Sequence, residues 1–220
     1  YTSKPYNQDW NGISPKEVVN GTYFFVRRDG LSLIGPNGQS KITHFAIQDT
    51  FFCGGLFRPY FFPDGSFLTG MSGCNWQDTM GIWHKMNFAR VDSSGWIDFS
   101  FDHNTDDFVE TVDRYDSTRF LVFGRRVSAY DSISVNKMFR IYEDGTLDTT
   151  FRLDPRIQIA GRPLHIQEDG KVIIGGTWMR VSTRPDSVII LRIDENGLID
   201  SSFNAPSAQF IGTKTKSGIL

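Results

Sequence analysis

Three segments of the chain repeat one twelve-residue pattern, and this repetition constrains the fold more than any other feature of the sequence. The segments are 90–101, 140–151 and 192–203, which read RVDSSGWIDFSF, RIYEDGTLDTTF and RIDENGLIDSSF. They recur every 50 to 52 residues. A fixed period of this length is typical of repeat architectures, in which each unit buries its apolar face against its neighbours. Residues present in every copy are therefore expected to serve folding.

The third copy shows most clearly how one unit is built. Asp169-Gly170 is a strong hairpin signal and precedes a buried strand over 171–176, which we expect to end at its glycine pair. A polar loop over 177–186 then leads to a second buried strand over 187–193. After a turn at Gly197, a short segment over 198–200 completes four strands per unit. In the second copy Tyr115–Arg119 replaces the Asp-Gly pair, which predicts backbone strain or a longer loop.

Each position that recurs in all three copies of the motif has a structural interpretation. The glycines supply tight turns, the aspartates accept backbone N–H bonds in Asx-type turns, and the phenylalanines enter the core. These positions are Gly95, Asp98, Phe101, Gly145, Asp148, Phe151, Gly197, Asp200 and Phe203. Arg90, Arg140 and Arg192 recur once per unit, which favours a structural partner such as the motif aspartate. No copy supplies the alternating oxygen ligands of a calcium loop, so no metal or cofactor is predicted.

The chain therefore predicts an all-β fold, a β-propeller-like array of four-stranded antiparallel blades with about four units, partial or open at its ends. We divide it into an N-terminal flank or degenerate blade (1–57), three repeats (58–104, 105–154 and 155–206) and the start of a further unit (207–220). An open array exposes strand edges, which predicts self-association through them.

The motif, together with the Asp-Gly turn and the strand that follows it, resembles the bacterial delta-sixty repeat. The resemblance covers about residues 60–206 and is most specific in the three Arg…Gly…Asp…Phe segments. It implies four-stranded propeller-like blades and an extracytoplasmic location in bacterial secreted proteins or surface lipoproteins. It supplies no catalytic residues. The chain begins without Met, so we expect any signal or anchor to lie outside it.

Charge and hydropathy exclude two classes of partner. The net charge of -2 leaves no basic excess to neutralise phosphates, so nucleic-acid binding is not expected. No apolar run approaches the length of a membrane-spanning helix. The two cysteines, Cys53 and Cys74, match no metal-binding spacing. Two small buried side chains are the simpler interpretation, and a disulfide between them is the alternative.

Candidate binding residues lie where the copies differ, in the loops that follow the second strand of each unit. In the first copy this loop is predicted to include residues 71–76. Aromatic faces and forked guanidinium donors in these loops suit sugar rings or carboxylated glycans. The candidates are Trp76, Trp83, His84, Arg125, Arg126, Tyr130, Trp178, Arg180 and Arg184. Packing between blades is the competing interpretation of Trp76, Trp83 and Trp178.

The sequence leaves three functions open. The first is a non-enzymatic surface or secreted repeat domain that binds a partner, most plausibly a glycan and alternatively a surface protein. The second is a glycan-active hydrolase or lyase that uses carboxylates from the Asp106, Asp107, Glu110 and Asp113 cluster, although a solvated acidic loop is the simpler interpretation of these residues. The third is a structural spacer. The sequence favours the non-enzymatic alternatives, and it identifies no catalytic residue.

Overall fold

A computed structural model describes most of the chain and shows only strands, turns and loops in the part it describes. The described residues are 16–17, 23–27, 30–34, 37, 40–43, 51–52, 55–57, 59–77, 79–93, 96–159, 162–182 and 188–203. They include no helix, and so none that could cross a membrane. The all-β prediction is confirmed. The chain divides into two compact units, Tyr1–Phe151 and Arg152–Leu220.

The first unit begins with a four-stranded antiparallel sheet in strand order β1-β2-β3-β4. Its strands are β1 (Lys16–Glu17), β2 (Tyr23–Arg27), β3 (Gly30–Ile34) and β4 (Ser40–Thr43). This sheet lies in the segment for which the sequence left open a flank or a degenerate blade.

The second sheet is organised around one long strand. β8 (Phe67–Gln77) pairs on one side with β9 (Trp83–Val91) and on the other with three short pieces. The pieces are β5 (Phe51–Phe52), β6 (Gly55–Leu56) and β7 (Tyr60–Phe61). The predicted loop over 71–76 is therefore wrong, because β8 continues through it with a register shift between Gly70 and Cys74.

The third sheet has strand order β10-β11-β14 and carries a separate hairpin. Its strands are β10 (Thr111–Arg114), β11 (Arg119–Phe123) and β14 (Met138–Tyr142), and the hairpin is β12 (Ala129–Tyr130) with β13 (Ile133–Ser134). The hairpin turns at Asp131 and Ser132, both at positive φ (47° and 66°). The hairpin follows β11 in the chain, at the place where β8 of the second sheet continues as one long strand.

The second unit contains the fourth sheet, in which β17 is central. β15 (Ile157–Ile159) and β16 (Arg162–Ile166) pair with one side of β17 (Val172–Val181), and β18 (Val188–Ile193) pairs with the other. The predicted strand end at the glycine pair is wrong, because β17 runs on to Val181 with a register shift between Gly175 and Met179.

The predicted fourth strand of each repeat is reduced to a single bridge. The three bridges occupy equivalent places in the motif and join Val91 to Ile97, Ile141 to Leu147, and Ile193 to Ile199. Each repeat therefore contains four antiparallel segments, but the fourth segment contributes only one residue pair.

Glycine is required at the turns that the sequence identified. Gly65, Gly145, Gly170 and Gly197 all have φ between 80° and 94°, a conformation that side chains oppose. The Tyr115–Arg119 turn does not show the predicted strain or lengthening. The Tyr115 amide reaches the Arg119 carbonyl at 2.9 Å, as in the glycine turns, and none of its residues has positive φ. The Asp116 carboxylate supports it by accepting bonds from the Thr118 and Arg119 amides, each at 2.9 Å.

The core of the first unit is aromatic. Tyr60, Phe62 and Phe120 meet edge to face at centroid distances of 4.8 to 5.5 Å. Phe101 and Phe151 are buried, as predicted for motif phenylalanines. Cys74 on β8 is buried and disulfide-bonded, and no described cysteine is free. The simpler interpretation of two reduced cysteines is therefore wrong, whereas Cys53 lies outside the described residues.

Candidate functional site

The motif aspartates form the Asx turns that the sequence predicts. One carboxylate oxygen of Asp98, Asp148 and Asp200 accepts the amide two residues on at 2.9 to 3.0 Å. The hydroxyl of that same residue donates to it at 2.5 to 2.6 Å. Among the residues that the structure describes, no three His, Cys, Asp or Glu side chains are grouped to hold a metal ion. Gly95 lies outside the described residues.

The motif arginines pair with the motif aspartates in two copies. Nε of Arg140 lies 2.7 Å from Asp148, and Nε of Arg192 lies 2.9 Å from Asp200. Each guanidinium also covers its motif phenylalanine, at 5.2 and 5.0 Å from the ring centre. In the first copy the Arg90 guanidinium lies over the ring of Phe62, at 5.0 Å. The recurring residues thus satisfy one another.

Asp148 shows how strongly this arrangement holds a charge. Burial raises its pKa, but hydrogen bonds from Thr150, Arg140 and Arg119 outweigh burial and lower the pKa to about 2. The Arg140 guanidinium lies 4.5 Å from the centre of the Tyr115 ring. Tyr115 and Arg119, which replace the Asp-Gly pair in this copy, therefore support the motif from the neighbouring hairpin.

The predicted aromatic residues separate onto two faces of the β8–β9 hairpin. Trp76 faces His84 across the strands, and the two rings stack at 4.6 Å. The Phe99 ring packs against Trp76 at a centroid distance of 4.8 Å and is tilted by 53° to it. Trp83 pairs with Gln77 one position along, so strand alternation puts it on the opposite face. Its side chain is 53% exposed.

Arg125 and Arg126 are each held by a carboxylate from the segment before β10. Arg125 pairs with Glu110 at 3.2 Å. Arg126 pairs with Asp107 through two nitrogens, at 3.4 and 3.5 Å, and covers the Phe108 ring at 4.9 Å. Both guanidinium groups remain more than half exposed. The structure therefore offers them to solvent in a fixed orientation.

Lys85 connects the strand of Trp83 to the segment before β10, which holds both arginines. Lys85 lies two residues after Trp83 on β9, on the same face of the strand. Its ammonium donates to the Asp106 carbonyl at 3.3 Å, and the Asn104 side-chain amide donates to the Lys85 carbonyl at 2.7 Å. We call this surface, formed by Trp83, Lys85, Asp106, Asp107 and Arg126, the Trp83 face.

The acidic cluster is structural in its described contacts, and one of its members is buried. Asp106 accepts bonds from the amides of Ser128 and Ala129 and from the Ser128 hydroxyl. Burial raises the pKa of Asp106, but these bonds outweigh it and lower the pKa. Glu110 is buried and accepts the Arg125 amide at 3.3 Å. The interpretation of the whole cluster as a solvated loop is therefore wrong at Glu110.

Tyr130 does not belong to a binding surface. It is fully buried, its hydroxyl donates to the Gly145 carbonyl at 2.6 Å, and its ring packs against Phe88, His103 and Phe139. Burial raises its pKa. The assignment of Tyr130 as a binding residue is corrected, because the short β12–β13 hairpin folds its ring into the core.

Three further candidates cannot be placed with the Trp83 face. Trp178 and Arg180 lie on β17, but their side chains are outside the described residues, as is the whole of Arg184.

The sequence did not identify two glycines that position the loop carboxylates. A Cβ on Gly70 would lie 1.8 Å from the Val109 carbonyl oxygen, and one on Gly124 would lie 2.5 Å from that of Phe108. The segment that carries Asp107 and Glu110 therefore passes between two glycines that permit close backbone approach. A glycine at the end of an apolar run in two copies was the available signal.

A family-model match agrees with this architecture at the level of the fold. Residues 167–203 match the model of a family described as a domain of unknown function (DUF5122) beta-propeller. This match supports a β-propeller-type repeat family. The solved structure of a protein of unknown function from Bacteroides caccae is 10% identical and aligns over 81% of this chain and 76% of its own, with a TM-score of 0.29. No curated protein matches. The chain is an all-β domain with blade-like antiparallel sheets.

Proposed function

We propose that this chain is a non-enzymatic, delta-sixty-type β-propeller repeat domain that binds a glycan through the Trp83 face. The observation that carries the proposal is an exposed indole on a β-strand, on the same face as Lys85, whose ammonium contacts the segment that holds Arg125 and Arg126. Indole rings stack on the apolar C–H faces of sugars, and the surrounding polar groups bond to hydroxyls.

Rigid placement of the exposed groups favours binding over a spacer role. Trp83 lies in the regular part of the β8–β9 pairing, where four consecutive residue pairs are in register. Arg126 is held by Asp107 and by the Phe108 ring. Groups that are already oriented lose little conformational entropy when a ligand binds.

The contacts of the acidic cluster do not favour the alternative of a glycan-active enzyme. Glycoside hydrolysis by paired carboxylates needs one acid and one base or nucleophile that face each other across a sugar. Asp106, Asp107 and Glu110 instead accept hydrogen bonds from the 124–129 loop, to which they are tied.

We also propose an extracytoplasmic location, which the disulfide at Cys74 supports. Disulfide bonds persist mainly in oxidising compartments, such as the periplasm and the cell surface.

A glycan array followed by two substitutions tests the proposed binding. For any glycan that binds, Trp83→Ala and Arg126→Ala should each weaken binding by about tenfold or more, since each removes a contact of order 1.4 kcal/mol. Trp96→Ala is the matched control, because Trp96 is 48% exposed in the turn at the other end of β9. Equal losses for Trp83→Ala and Trp96→Ala, or no binding to any glycan, would contradict the proposal and favour a spacer.

A further inference from the structure

We infer that the glycan bound at the Trp83 face is uncharged; this inference rests on the proposed function and specifies its ligand class. The sequence alone left sugar rings and carboxylated glycans open, because aromatic faces suit the former and guanidinium groups suit the latter. The structure distinguishes them through the partners that these arginines already have.

The forked donors of Arg126 are already directed at a carboxylate. Its Nε and one terminal nitrogen face the two oxygens of Asp107, which is the geometry that recognition of a uronate carboxylate would need. A ligand carboxylate that used these two nitrogens would have to displace Asp107, and in either position it would lie beside a second negative charge. Neutral hydroxyls face no such competition, and they can accept bonds from the guanidinium and donate to the carboxylate.

The positive side chains of Arg125 and Lys85 also lie beside residues that carry a negative charge. Arg125 is paired with the buried Glu110, whose carboxylate compensates the positive charge of the guanidinium. The Lys85 ammonium lies against the Asp106 carbonyl, and the Asp106 carboxylate, whose pKa is lowered, stays charged at neutral pH. Two cationic side chains thus face carboxylates, and the third, Lys85, faces the backbone carbonyl of Asp106, a residue that carries a charged carboxylate of its own.

Asp131 adds another carboxylate beside this set. It accepts the Asn104 amide at 2.8 Å and lies 2.5 Å from Nδ1 of His103. Since Asn104 also bonds to Lys85, this carboxylate borders the Trp83 face. The local field is therefore neutral to negative, which repels an anionic polymer and leaves uncharged sugars unaffected.

Matched polysaccharides that differ only in charge test this inference. Methyl-esterified and de-esterified polygalacturonan form one pair, and neutral and oxidised cello-oligosaccharides form another. The neutral member of a bound pair should bind at least about tenfold more tightly than the charged member at low salt. Added salt should narrow this gap, because it screens the repulsion.

Asp107→Asn sharpens the test, since the asparagine oxygen can still accept the Phe108 amide that Asp107 now accepts at 2.8 Å. The variant releases Arg126 and removes one negative charge, so the ratio of charged-member to neutral-member affinity should rise by about tenfold. The salt dependence of the unaltered protein is a second readout that does not depend on how well the variant folds. Equal or tighter binding of the charged member by the unaltered protein would overturn the inference while preserving glycan binding. Failure of every neutral and charged glycan to bind would overturn both.

Discussion

Asp148 and Asp107 each pair with an arginine in the same unit of the molecule, but the two pairs differ in burial and in recurrence. Asp148 belongs to the motif, is buried, and receives bonds from Thr150, Arg140 and Arg119. Asp107 occurs in one copy only and holds an arginine that is 66% exposed, at 3.4 Å. In this comparison the recurring pair is therefore buried and fully bonded, whereas the pair found in one copy is exposed.

This difference indicates where function is to be sought. Removing one member of a buried pair leaves an uncompensated charge, whereas an exposed pair contributes little to folding. The exposed pair is then free to serve a ligand. The following predictions test whether stability and binding separate along this boundary.

The largest expected effect is the loss of a motif phenylalanine. Phe151→Ala should lower the free energy of unfolding by about 3–5 kcal/mol, because Phe151 is buried beneath Arg140. Urea unfolding followed by tryptophan fluorescence measures this change. Phe99→Ala is the control, since Phe99 is more than half exposed and should cost less than about 1 kcal/mol. A cost below about 1 kcal/mol for Phe151→Ala would contradict the assignment of this motif phenylalanine to the core.

The next largest effect is expected from the loss of the disulfide on β8, the strand that carries Trp76. Cys74→Ser should destabilise the protein by about 2–4 kcal/mol, because it removes a disulfide from β8. A reducing agent should lower the free energy of unfolding of the unaltered protein by a similar amount, which shifts its urea midpoint, and should leave that of the variant unchanged. A midpoint that does not respond to reduction would contradict a stabilising role for the disulfide.

A smaller effect should appear on acidification. The pKa of Asp148 and, in the second unit, of Asp154 is lowered to about 2, the latter chiefly by hydrogen bonds from Arg156. A depressed pKa in the folded state stabilises the protein above the unfolded value of 3.8, and this contribution is lost as pH falls from 3.8 towards 2.

Urea midpoints measured between pH 5 and pH 2 test this dependence. They should fall mainly below pH 4, and Asp148→Asn should reduce the fall. A midpoint that does not change between pH 5 and pH 2, or an unchanged slope in Asp148→Asn, would contradict the assignment.

The repeat explains why much of the fold could be predicted from the sequence. Asx turns at Asp98, Asp148 and Asp200 depend on bonds to a residue two positions away, and the glycine turns depend on φ at one residue. Such local features repeat with the sequence. The pairing of Arg140 with Asp148 spans one hairpin and was also predicted.

The candidate site was harder to predict because it depends on register and on contacts distant in sequence. Trp76 and Trp83 lie on opposite faces because the hairpin between them sets the pairing, and the sequence alone did not fix its length. Tyr130 faces the core because an inserted hairpin directs it there. The charge of the buried Glu110, which precedes the β10–β11 hairpin, is compensated by Arg125, which follows the hairpin and is therefore distant in sequence.

The most direct test of the account is to compare the free energy of unfolding of Asp148→Asn with that of Asp107→Asn. Both substitutions keep the shape of the side chain and remove one charge from an arginine pair. We predict that Asp148→Asn costs about 3–5 kcal/mol, as a broken buried pair does. Asp107→Asn should cost less than about 1 kcal/mol, as an exposed pair does. Equal costs for the two variants would contradict the division between a recurring scaffold and a variable binding face.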